Sequence, residues 1–116
     1  MDIVFILLLV SYALLMSCGQ ILFKLSANFG LRSEGAGVFD SYFNLYFACA
    51  IFLYMLLTVF WVWLVKFVPL NKAYPIVAVS FVATPLLAKK VLAEDLPKDL
   101  LVGSILIIIG IYLTVR

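Results

Sequence analysis

The sequence predicts an all-α integral membrane protein, a bundle of four transmembrane helices. Three observations predict it. The 116-residue chain is 67% hydrophobic, whereas soluble domains lie nearer 45–50% apolar, and its mean hydropathy is +1.26. Charged residues make up only 12%, too few to clothe a water-facing domain. The apolar residues gather into four stretches, each near the ~20 residues that one crossing needs. A backbone in lipid must satisfy its own hydrogen bonds, so each stretch is predicted to be helical.

The first span is predicted over residues 3–23, the second over 42–65, the third over 73–92 and the fourth over 100–115, together one domain covering 1–116. The N-terminal run carries Asp2 where a signal peptide has basic residues. It also exceeds the ~7–15 apolar residues of a signal core and shows no small-x-small cleavage site. It is therefore read as a retained span. The connection LSANFGLRSEGAGVFDS is the only long one and reads as a polar surface loop with at most one interfacial turn. KFVPLNK and AEDLPKD are tight turns. Pro97 suits the first turn of the fourth helix, and Asp99 suits the positive end of its dipole. Trp61 and Trp63 beside Lys66 read as an interfacial belt. Lys24, Arg32, Lys89, Lys90 and Lys98 on one side outnumber Lys66, Lys72 and Arg116 on the other. This bias nominally puts the first and third connections in the cytoplasm, with dual insertion left open.

The polar residues inside the spans carry the functional reading. Ala13, Ser17, Gln20, Lys24 and Asn28 recur every three or four residues and share one helix face. Such a stripe should face the bundle interior or a wet cavity. The plainer alternatives are that Lys24 snorkels to the interface and that Gln20 bonds a neighbouring helix. In the third span, Val77, Ser80, Thr84 and Ala88 form a mostly small face. Pro85 leaves a carbonyl one turn back unpaired and marks a candidate hinge, or tolerated packing. Lys89 and Lys90 are candidate anion contacts, or interfacial anchors. Gly103 and Gly110, two turns apart, offer a close-packing seam between subunits or within the chain.

The missing chemistry is informative. Every acid, Asp2, Glu34, Asp40, Glu94, Asp95 and Asp99, lies at an end or in a connection. A proton-coupled exporter of cations needs a carboxylate inside the membrane to pair and to titrate. The ionisable residues that encroach on these spans are lysines, which pair with anions such as phosphate. There is no histidine, no Ser-His-Asp set, no paired carboxylates and no Gly-rich phosphate loop, so no enzyme activity, cofactor or metal is expected. Cys18 and Cys49 are expected as buried free thiols. A net charge of +2 gives no reason to expect nucleic acid.

GQILFK (19–24), VPLNKAYPIVAVSFV (68–82), Glu94 and VGSILIIIG (102–110) together resemble the four-helix, EamA-like members of the drug/metabolite transporter superfamily, which include the small multidrug resistance proteins. The chain is most similar to subunits of the undecaprenyl-phosphate-aminoarabinose flippase. The pattern of Pro69 followed by Ala73-Tyr74-Pro75 is the most specific piece. The multidrug proteins carry an essential glutamate in the first helix; aligned on Gly19 and Lys24, that position is Met16 here. The departure speaks against proton-coupled drug export, as the charge argument does.

The resemblance implies a bacterial inner-membrane transporter, a lipid flippase moving a polyprenyl-phosphate-linked sugar. It implies a dimer with itself or with a similar four-span subunit, meeting at Gly103 and Gly110. The substrate contacts expected on this basis are Lys24 for the phosphate, helped by Gln20, Ser17, Lys89 and Lys90, with Tyr74 against the sugar and Glu94 nearby. The alternatives are an exporter of small organic molecules and a non-transporting membrane subunit of a partner enzyme.

Overall fold

The computed structural model describes residues 3–32 and 44–116. These form five helices: α1 (Ile3–Arg32), α2 (Leu45–Val65), α3 (Leu70–Val77), α4 (Ser80–Leu92) and α5 (Lys98–Val115). Four helical stretches are long and apolar enough to cross a membrane: Ile3–Phe29, Leu45–Val65, Leu70–Leu92 and Lys98–Val115. The expected start of the second span at residue 42 and the loop segment 33–41 lie outside the described residues.

The first helix runs nine residues beyond its expected end. The polar segment after Phe23 stays helical because it has partners. Ser26 is buried, and Asn44 Nδ2 donates to its hydroxyl at 3.0 Å. Asn44 Oδ1 also accepts from the Phe47 N–H at 3.0 Å, which caps α2. One side chain thus starts the second span and ties it to the first. Pro97 sits one residue ahead of α5 rather than in its first turn, and Asp99 follows within that turn.

The third span is broken where no proline stands. α3 ends at Val77 and α4 begins at Ser80. Across the break the N–H groups of Val79 and Phe81 reach back only three residues, to Ile76 and Ala78 (3.1 and 2.9 Å). β-Branched Val77 and Val79 are weak helix formers, and Pro75 and Pro85 each withhold a donor nearby. Pro85, the expected hinge, lies inside α4 without ending it.

Register fixes the directions. Tyr12 meets Phe60 and Trp61 (6.1 and 5.1 Å between ring centres), Phe23 meets Tyr54 (5.2 Å), and Phe5 meets Phe67 (5.7 Å). α1 and α2 are therefore antiparallel, zipped by aromatic rings. Leu9 clusters with Ala73 and Ile76, and Ser17 bonds Ser80 and Thr84, so the third span runs parallel to α1. Leu9, Leu64, Val68, Ala73 and Ile76 make the apolar core at the α1 N-terminal end. α5 packs outside it. None of its residues is buried, and only Val115 rests against the core. The result is a slab of 53 × 36 × 18 Å.

One expectation is corrected. Cys18 and Cys49 are free but exposed, not buried. Each lies one residue from a buried one, Ser17 and Ala50, and one residue is a rotation of about 100°. Trp61 is half-buried against Tyr12 and Tyr74, whereas Trp63, nearly opposite on the helix, stays exposed.

Candidate functional site

The small face of the third span meets the small face of α1. Ser17 is fully buried. Its hydroxyl accepts from Thr84 Oγ1 at 3.0 Å and has the carbonyls of Ala13 (3.1 Å) and Ser80 (3.5 Å) as acceptors. A hydroxyl has one proton, so the nearer carbonyl takes it. The break thus sits beside a polar node in an otherwise apolar bundle.

One turn further along α1, Gln20 turns the other way. Its Nε2 donates to Tyr54 Oη at 2.8 Å, and Tyr54 Oη donates to the Met16 carbonyl at 3.2 Å. The helix-to-helix role of Gln20 is therefore real. Gly19 makes this approach close enough. A methyl there would run into the Tyr54 ring at Cε2, with Cδ2 at 3.1 Å and Cζ at 3.3 Å.

Two adjoining grooves run between α1 and the third span. One, of about 570 Å³, is lined by Tyr12, Met16, Trp61, Tyr74, Ser80 and Phe81, among others. The other, of about 440 Å³, is lined by Met16, Gln20, Ser80, Phe81, Thr84 and Pro85. They share Met16, Ser80 and Phe81. The wider end is an aromatic corner in which Trp61 meets Tyr12 at 5.1 Å and Tyr74 edge-on at 5.8 Å. The narrower end is lined by the polar residues Gln20, Ser80 and Thr84. No carboxylate lines either groove. Both are surface features of the slab, flanked by exposed Tyr74 and Phe81.

The expected site residues divide among five places. Tyr74 and Gln20 line the grooves, and Ser17 lies beneath them in the node. Lys24, Lys89 and Lys90 are exposed, the last two in the final turn of α4. The parallel register sets Ser17 level with Ser80 and Thr84. Seven residues on, Lys24 is level with the 87–91 stretch that holds both α4 lysines. Glu94 and Lys89 line a separate shallow pocket with Ala93, Asp95 and Leu96. Gly103 and Gly110 have nothing within 4 Å of an added methyl, so they do not pack against the described residues of their own chain.

Tyr12, Met16, Trp61, Phe81 and Thr84 were not among the expected contacts. Tyr12, Met16 and Gln20 recur every four residues, which places them on one face of α1. That spacing is the signal that could have found two of them. Trp61 had no such signal, because its place depends on which side of α2 meets α1. Comparison with protein-family models, curated proteins and solved structures finds no match.

Proposed function

We propose that this chain is a transporter of the EamA-like drug/metabolite class that moves a polyprenyl-phosphate-linked sugar between leaflets of a bacterial inner membrane. It works as a pair of similar four-span subunits. One observation carries the reading: an open-sided groove with an aromatic wall, with Gln20, Ser80 and Thr84 in its lining and with no carboxylate, lies beside a broken span. A sugar has apolar ring faces for Trp61 and Tyr74 and hydroxyls for Gln20, Ser80 and Thr84. An open side lets the lipid tail stay in the bilayer while the head enters. A discontinuous helix at midspan is where transporters place polar substrates. Lys24, Lys89 and Lys90, at one level beyond the groove, supply the charge for a phosphate.

The second reading, an exporter of small organic molecules, is favoured by the same aromatic corner. Against it stands the lack of any carboxylate to pair with a cation and couple to protons.

The test is binding of a short-chain polyprenyl-phosphate hexose to purified protein at low and high salt. Affinity should fall with salt and fall further in Lys24→Glu, because partly exposed charges are screened. Equal affinity in wild type and Lys24→Glu would remove the lysine from the site. Tighter binding of a flat organic cation than of the lipid phosphate would favour the exporter.

A further inference from the structure

A second furrow lies on the other flank of α4. It has a volume of about 350 Å³ and runs between α4 and α5, where Val82, Pro85 and Leu86 face Leu101, Ile105 and Ile108. Ser104 is the only hydroxyl in its lining, and that hydroxyl is turned back to the Leu100 carbonyl at 2.8 Å. The furrow is apolar along its length, and apart from Leu96, in the turn between them, its lining belongs to the third and fourth spans.

Its position relative to the headgroup groove is the main argument. On α4, Ser80, Phe81, Thr84 and Pro85 face the groove, and Val82, Pro85 and Leu86 face the furrow. At about 100° per residue the two faces are centred roughly 120° apart. Pro85 belongs to both. The proline is the ridge over which polar groove passes into apolar furrow.

The furrow is poorly suited to another helix. Helices that pack need about 8–10 Å between axes and small residues where backbones approach. On α5, Gly103 and Gly110 stand on the face opposite Leu101, Ile105 and Ile108 by the same rotation. The furrow face presents branched side chains instead. A partner helix fits the glycine face, which leaves the furrow for something thinner.

Resting on the translocator reading, we propose that this furrow holds the hydrocarbon chain of the lipid whose head occupies the groove, with the phosphate–chain junction crossing at Pro85. The chain is an unsaturated isoprenoid, and its first units lie against Val82, Leu86, Leu101 and Ile105. Seating them in a walled furrow aligns the head with Gln20 and Thr84 before translocation.

The experiment uses the full chain in proteoliposomes and a polyprenyl-phosphate hexose carrying a diazirine in an isoprene unit near the phosphate. After photolysis, peptide mapping should find the label on α4 and α5 at the furrow residues, and unlabelled lipid should chase it. Ile105→Trp fills the furrow. Displacing about two methylene groups should weaken labelling roughly tenfold. Leaflet exchange of the same lipid is measured in parallel. Exchange with label spread evenly over all lipid-facing helices, or unchanged labelling in Ile105→Trp, would overturn the furrow while leaving the translocator standing. No exchange, with chaseable label still in the furrow, would overturn the translocator and keep the furrow as a lipid site. Disulfide capture between two copies bearing Ile105→Cys would give the furrow to a partner helix and overturn the proposal.

Discussion

Gly19→Ala adds one methyl group and should loosen the α1–α2 seam. The added carbon would collide with the edge of the Tyr54 ring. Both are held by spans, so the ring must swing away. That movement breaks the bonds from Gln20 to Tyr54 and from Tyr54 to the Met16 carbonyl. Hydrogen bonds between membrane helices average about 0.6 kcal/mol and reach ~1.7, so the pair is worth about 1–2 kcal/mol. The Phe23–Tyr54 ring contact adds about 0.5–1.5 kcal/mol. Against this, alanine improves helix propensity by at most about 1 kcal/mol. The net expectation is a protein less stable by about 1–2 kcal/mol, read by thermal or SDS unfolding in detergent. In a Tyr54→Ala background the clash is gone, and the same substitution should be neutral or stabilising. A wild-type background in which Gly19→Ala gains stability would refute the close approach and, with it, the hydrogen-bond chain.

Three further outcomes follow from local geometry. Asn44→Ala removes both the α2 cap and the tie to Ser26; caps are worth about 1 kcal/mol and the tie about 0.6, so unfolding should come about 1–2 kcal/mol earlier. Ala93 ends α4 in the left-handed region at φ 55°, a conformation that favours glycine; Ala93→Gly should raise stability by about 0.5–1 kcal/mol, and a loss would mean the residue leaves that conformation. Pro85→Ala returns a donor to the Phe81 carbonyl; stability should hold or rise while leaflet exchange slows, and unchanged exchange would reduce Pro85 to packing.

The sequence made the spans legible because a bilayer imposes length and apolarity on every crossing. The four ends that flank the two tight turns fell within a few residues of their expected places. The extension of α1 was hidden because Ser26 looks like a loop residue until Asn44 is brought opposite it. The break at 78–79 was hidden for a related reason. Prolines advertise kinks, and Pro75 and Pro85 drew attention to themselves, yet the ladder parts between them at two valines. The stripe on α1 was visible as a face, but its two ends serve different neighbours. Ser17 turns to α4 and Gln20 to α2, a division that depends on helix order around α1. Groove residues on α2 such as Trp61 depend on the same unseen order, so periodicity along a single helix did not reveal them.

The proposed passage of a lipid-linked sugar along the groove is tested by leaflet exchange of a short-chain polyprenyl-phosphate hexose, measured in liposomes with and without the reconstituted chain. Exchange should be faster with wild-type protein than in protein-free vesicles, and strongly slowed in Tyr74→Ala and in Lys24→Glu while both variants keep wild-type thermal stability. Exchange no faster than in protein-free vesicles, or undiminished in both variants, would contradict it.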